Sequence, residues 1–212
     1  MNATGARTTV TDEASPREDR ACAQRNRILN AARCCFIEHG FHAASMAQIS
    51  AAAQMSAGLI YRYFANKNAI ILAIIAHQNE EACADIATLR SSTDLMPRIT
   101  DLFARWRSSD TRALNPALFL EMCAESSRDP EIARALDAAE KRRGAEICAW
   151  IRQCAHDTGH DISEEEAHTR AFTLLCFIDG LAVRAVREPD LAPQALLNSL
   201  RMFVPGVVFP ER

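Results

Sequence analysis

The stretch SAGLIYRYFANK, residues 56–67, holds both tyrosines of a 212-residue chain, with Arg62 between them and Lys67 just beyond. Phenol hydroxyls donate hydrogen bonds without bringing net charge, a guanidinium offers a planar fork of donors, and an ammonium acts as a compact point charge. Together they suit contact with the phosphates of a duplex, and Arg62 can also pair with a guanine edge. Ala57, Gly58 and Leu59, beside them, are small or apolar and suit close approach and contact with a thymine methyl. Gln48 is an amide able to reach a base edge from a neighbouring segment. Ser45 and Ser56 are helix caps first and phosphate donors second.

Other chemistry is poorly supplied. The eight cysteines, at 22, 34, 35, 83, 123, 148, 154 and 176, form no CxxC pair, and most lie in apolar helical stretches as small hydrophobes. His77 and Glu81 share a helical face, as do His156 and His160, yet no set of three or four metal ligands has suitable spacing. No metal or cofactor is expected. An all-α enzyme using Cys or His is the rival reading, but no Cys–His or paired-carboxylate set sits beside an evident base or oxyanion donor.

Charge is divided unevenly. Residues 20–67 carry six cations (Arg20, Arg25, Arg27, Arg33, Arg62, Lys67) against Glu38 alone, whereas residues 68–212 carry sixteen cations and twenty-two anions. A basic quarter on an acidic body is expected where one part of a molecule meets a polyanion. The first nineteen residues are polar and mixed in charge, and are read as a disordered leader. Arg7, Arg17 and Arg20 are candidates for a minor-groove arm. No run of eighteen apolar residues occurs, so no membrane span is expected, and without a secretory signal the expected location is cytoplasmic.

The elements that must position these groups are helices throughout. Ile28, Ala32, Cys35 and Phe36 fall on one face of a helix that Gly40 ends. Ser45-Met-Ala-Gln48 is a capping box opening a short helix, Ser56 caps a second, and Asn66 caps a long connecting helix over 67–90. Ile60 and Phe64 face inward together, leaving Tyr61, Arg62 and Tyr63 near the surface. Asp94 precedes a further helix. Asn115-Pro116 and Asp129-Pro130 are start signals, and Ser163 to Glu166 is a second capping box. The expected fold is all-α with about nine helices: a leader over 1–19, a three-helix reader over 20–66, and a ligand-binding and dimerisation domain over 67–212.

Residues GFHAASMAQISAAAQMSAGLIYRYFANKNAII resemble the DNA-binding signature of the tetracycline-repressor (TetR) family of bacterial transcriptional regulators. The matching positions are Gly40-Phe41, Ser45, Ile49, Ala52-Ala53, Gly58, Ile60, Tyr61, Tyr63, Phe64, Asn66 and Lys67. The resemblance implies a homodimer that binds operator DNA through a helix-turn-helix and is released by a small-molecule effector. It gives Tyr61, Tyr63 and Lys67 phosphate-contact roles and places Ala57, Gly58, Leu59 and Arg62 at the base-facing end. Gln54 departs from the pattern, standing where glycine commonly makes a left-handed turn, and Ala57 stands where a longer polar side chain is common. An activator or a thiol-responsive regulator remains an alternative.

The C-terminal half must then supply the input. Phe103, Trp106, Phe119, Met122, Cys123, Trp150, Cys176 and Phe177 are the bulky or soft candidates for lining a pocket. Asp179, a carboxylate in an apolar helix, needs a partner such as Arg184, a ligand cation or a helix end. Residues 171–182 are apolar nearly all round, which calls for cover by a second subunit. Helices over 163–187 and 193–204 are expected to pair with their copies, with Phe172, Leu175, Gly180, Val183, Leu196, Leu200 and Phe203 in the interface.

Overall fold

Capping residues set where the helices start. In the computed structural model, which describes residues 16–108 and 115–208, Ser45 Oγ accepts from the Gln48 N–H at 3.2 Å and Gln48 Oε1 accepts from the Ser45 N–H at 2.8 Å. This reciprocal box opens α2 (Met46–Ala53). Ser56 and Asn66 open α3 (Ala57–Tyr63) and α4 (Lys67–Ala87) by accepting from the N–H groups of Leu59 and Ala69. Asn115 and Asp129 do the same before prolines, starting α6 (Pro116–Ser126) and α7 (Pro130–Asp157).

The described residues form an all-α chain without strands, completed by α1 (Pro16–Ala43), α5 (Leu95–Arg107), α8 (Glu164–Arg187) and α9 (Pro193–Val208). Two local expectations need correction. α1 begins at Pro16, so the helix takes in residues 16–19; Arg17 and Arg20 lie on it and not in an extended arm, while Arg7 and the rest of the leader lie outside the described residues. Asp94 precedes α5 as expected, with no side-chain cap bond. It turns back to accept from the N–H groups of Arg90 and Ser91 at 2.8 and 2.9 Å. At α8 only half of the box forms, because Ser163 caps Glu166 while the Glu166 carboxylate pairs with Arg170 at 2.5 Å.

Two apolar clusters organise the chain. One packs Ile28, Ala32 and Phe36 of α1 with Ile49, Ile60 and the first half of α4, and it is closed by Leu118 and Met122 of α6 and Ile132 and Ala139 of α7. The other gathers α5, the second half of α7, α8 and α9 around Trp106, Ile151, Leu174 and Leu200. The first three helices therefore do not close their own core. Burial of α6 side chains, each contributing about 1.5–3 kcal/mol, fastens them to the body.

Gly40 makes that fastening possible. At φ 73, ψ 165 it breaks α1 in a region essentially reserved for glycine, and a Cβ there would stand 3.3 Å from the Glu121 carboxylate. The freed Phe41 N–H donates to Glu121 at 3.2 Å, while the Phe41 ring meets Phe36 edge-on with centroids 4.7 Å apart. Gly40→Ala is expected to lower stability by about 1–3 kcal/mol, measured by urea unfolding. An unchanged midpoint would mean the bend carries no strain.

Candidate nucleic-acid interface and effector cavity

Only Ile60 of α3 is fully buried, at 0% exposure, and Phe64 just after it is 3% exposed. This inward pair turns the rest of the short helix outward. Tyr61 is 52% exposed; Ala57, Gly58 and Arg62 are exposed, Leu59 is half-buried, and Tyr63 is half-buried against the first core. Glu38, the one anion among residues 20–67, lies 3.8 Å from His39. The turn before α3 is held from α1. Gln54 is left-handed at φ 51, ψ 44, and Arg27 donates to its side-chain oxygen at 3.2 Å and its backbone oxygen at 3.5 Å. That fork offsets part of the cost of a non-glycine residue in this conformation. The Arg25 guanidinium lies 4.7 Å from the Phe64 ring centroid, a cation–π contact that braces the far end of α3.

Three polar side chains of the basic quarter have partners within the chain. Lys67 Nζ donates to the carbonyl of Phe41, to that of Ala44 at 3.1 Å and to that of His42 at 3.3 Å. Its three donors are thus spent closing the C-terminal end of α1. Gln48 Oε1 accepts from both the N–H and the hydroxyl of Ser45, which commits it to the cap. Arg33 is 3% exposed, with Nη2 3.2 Å from His77 Nδ1, and burial pushes its pKa down. The partners of Lys67 and Arg33 are not readable from local spacing.

Behind the reader, α4 to α8 enclose a cavity of about 550 Å³. Trp106, Phe119, Met122, Trp150 and Asp179 line it as expected. Phe103, Cys123, Cys176 and Phe177 do not. Phe103 packs edge-on against Trp106, Phe177 stacks on Phe203 with centroids 4.0 Å apart, and the two cysteines are exposed. Sequence reading missed Gln78, Arg98, Arg105 and Arg143 in the wall; Gln78 and Asn79, two amides inside the apolar face of α4, were the available signal. Of the eight thiols four are exposed, so cysteine is core filler at only half its positions. Burial is the main cause raising the pKa of Cys35, Cys83, Cys148 and Cys154, which suppresses the reactive thiolate. Among the described residues no cluster of three or more His, Cys, Asp or Glu could hold a metal.

The cavity wall and the reader share elements. α6 sends Phe119 and Met122 into the wall while Glu121 holds the Phe41 N–H and Glu125 lies 3.2 Å from His42. α4 runs from Lys67 at the reader to Gln78 and Ile86 in the wall. On the opposite side, the expected interface residues divide. Leu175, Leu196 and Leu200 are core, at 9%, 3% and 0% exposure, and cannot meet a second subunit. Phe172 and Gly180 are exposed, and Val183 and Phe203 are half-buried. Thr173 is accommodated by a bond to the Thr169 carbonyl at 2.8 Å.

Asp179 lacks the partner expected for it, because Arg184 pairs with Glu188. Burial raises the Asp179 pKa above 3.8, opposed by Arg143 and reinforced by Glu140. A carboxyl whose pKa is raised on folding binds its proton more tightly in the folded state, so it favours folding below its unfolded value. That contribution is lost as pH rises through the folded value. Asp179→Asn is therefore expected to raise the melting temperature at pH 7, with the gain shrinking as pH falls toward 3.8. A gain independent of pH would contradict this origin.

Comparison with known proteins agrees with this architecture. Residues 28–74 match the model for bacterial regulatory proteins of the tetR family, and residues 108–207 match the C-terminal model of BetI-type transcriptional repressors. The chain is 30% identical over 188 residues to the HTH-type transcriptional regulator UidR of Escherichia coli K12, covering 87% of this chain and 92% of that protein. It is 28% identical over 168 residues to BetI of Yersinia pestis strain Pestoides F, covering 76% and 80% respectively. The solved structure of Salmonella enterica GusR superposes with a TM-score of 0.70 at 28% identity, covering 88% of this chain and 95% of that one. Among the described residues no single helix is long and apolar enough to cross a membrane. The relatives are transcriptional regulators and not enzymes, and the chain belongs to the TetR family of bacterial DNA-binding transcriptional regulators.

Proposed function

We propose that this regulator is a homodimeric repressor working in the cytoplasm, released from its operator by a small molecule bound in the cavity between α4 and α8. The observation that carries this reading is the distribution of exposed apolar bulk. The large hydrophobic side chains exposed among the described residues are Tyr61 on the reader and Phe172, Val186 and Met202 on α8 and α9. Tyr61 has a duplex to meet, and the other three have a second copy to meet.

In the dimer two copies of α3 occupy successive major grooves about 34–36 Å apart. Tyr61 and Tyr63 donate to phosphate, Arg62 reads a base edge, and Ala57, Gly58 and Leu59 permit close approach, with Ser45 and Ser56 as secondary donors. Lys67 acts by holding the reader on α4. A ligand that prefers another placement of α4 and α6 shifts the population away from the operator-binding spacing, and operator DNA weakens that ligand in return.

Fluorescence anisotropy with duplexes flanking the chain's own gene tests the reader. Arg62→Ala is expected to cost about 1–3 kcal/mol on the preferred duplex and to relax base preference. Tyr61→Phe is expected to weaken all duplexes alike by about 0.5–1.5 kcal/mol. Lys67→Met should lower stability and affinity while leaving the salt dependence unchanged; a slope reduced by about one would return Lys67 to phosphate contact. For the dimer, Phe172→Glu and Met202→Glu should each give a helical monomer in sedimentation equilibrium, and an intact dimer would exclude this face.

A further inference from the structure

Arg33 is a buried cation with little to answer it. Its side chain is 3% exposed, and its Nε meets no acceptor. Nη2 donates to His77 Nδ1 at 3.2 Å, the acceptor that the guanidinium finds among the described residues. Arginine carries donors and no acceptor. His77 Nδ1 must therefore present its lone pair, and the ring proton of neutral His77 sits on Nε2. A buried charge that loses its partner is costly, so this bond ties the middle of α1 to the middle of α4.

The same nitrogen has a second neighbour of the opposite kind. Glu81 Oε2 lies 3.3 Å from His77 Nδ1, one turn along α4. A carboxylate only accepts, so Nδ1 serves Arg33 as an acceptor or Glu81 as a donor, and not both at once. A proton taken up at Nδ1 decides between them. It exchanges a bond between α1 and α4 for one within α4, and it sets an imidazolium against the guanidinium. A cleft of about 160 Å³, lined by Asn26, Leu29, Asn30 and Arg33 of α1 and by His77 and Glu81 of α4, opens on the trio, and the His77 side chain is 36% exposed. The other charged groups nearby are accounted for. Cys34 also acts on Arg33 from α1, and Glu80 of α4 is exposed. From α7, Arg142, Arg143 and Glu146 act on Cys83, and from α5, Arg98 and Arg105 face Asp85.

We propose that His77 is a proton switch on the reader: unprotonated, it accepts from Arg33 and holds α1 against α4; protonated, it turns to Glu81, frees α1 and weakens DNA binding. Lys67 is then the remaining polar tie between the two helices among the described residues. This input is separate from the cavity and needs no ligand. Its sign sets it apart. Acid adds positive charge to a protein, which ordinarily tightens contact with phosphates. His42, 3.2 Å from Glu125, and His39, 3.8 Å from Glu38, also gain from a proton, and His42 lies where α1 meets α6. Binding that weakens in acid runs against all of these effects, so His77 is the group that produces it.

Fluorescence anisotropy with a duplex flanking the chain's own gene, at fixed ionic strength, reads the effect. Affinity is expected to fall about 5- to 10-fold, the low end of ordinary coupling between sites, from about pH 7.5 to about pH 5.5, the range in which histidine ordinarily takes up a proton. His77→Gln keeps an amide oxygen for Arg33 and has no proton to gain. It should bind like the unaltered chain at the higher pH and show no fall in acid. Nitrogen NMR of the unaltered full chain, labelled on histidine, should find His77 Nδ1 unprotonated at the higher pH, with the His77 signal identified by its absence from His77→Gln. That reading needs no DNA, so failure of the switch and failure of the operator assignment are told apart. Affinity unchanged or tighter in acid, a fall of the same size in His77→Gln, or a proton on Nδ1 at the higher pH would overturn the proposal.

Discussion

The architecture depends on how the reader is fastened to the rest of the chain, and that fastening centres on one ammonium. Lys67 is the first residue of α4, and its Nζ gathers the carbonyls of Phe41, His42 and Ala44 where α1 ends. Terminal carbonyls lack intrahelical partners, and a cation at a helix C-terminus is further favoured by the macrodipole. One side chain therefore completes α1, fixes the start of α4 and sets the meeting of α3 and α4, which are bent by 55°. Gly40 complements it by turning the backbone so that the Phe41 N–H faces Glu121 of α6. The reader is clamped at one corner by two elements that also wall the cavity.

That arrangement gives a physical route between the two ends of the molecule. α4 and α6 are shared by the first core and the cavity wall. The corner where Lys67 and Glu121 hold α1 is therefore built on the same two elements as the wall. Asp179, whose burial raises its pKa, lowers the stability of the subunit alone at neutral pH.

What sequence conveyed and what it could not follow from the range of each interaction. Ser45, Ser56, Asn66, Asn115 and Asp129 act on N–H groups two or three residues away, so each start was legible. The inward pairing of Ile60 and Phe64 needed only helical periodicity. The reader of a known family was also legible, because its fixed positions lie within one continuous stretch. The contacts of Lys67 and Arg33 were not legible, because their partners lie 23 to 44 residues away. The Gln48 amide that completes the capping box is the same group that is a candidate base reader. On α8 and α9, periodicity identified an apolar girth but not its cover: Leu196 and Leu200 turn into the subunit, while Met202 turns out at 84% exposure. The cavity was half legible, since aromatic residues mark apolar walls but an amide such as Gln78 gains meaning only from what surrounds it.

The central claim is that two copies of α3 bind one duplex in a symmetric pair. Hydroxyl-radical footprinting of the intact protein on DNA flanking its own gene tests it most directly. Two protected half-sites related by approximate two-fold symmetry, with centres about 10–10.5 base pairs or a multiple of that apart, are the predicted result. A single protected patch, or none at modest ionic strength, would contradict it.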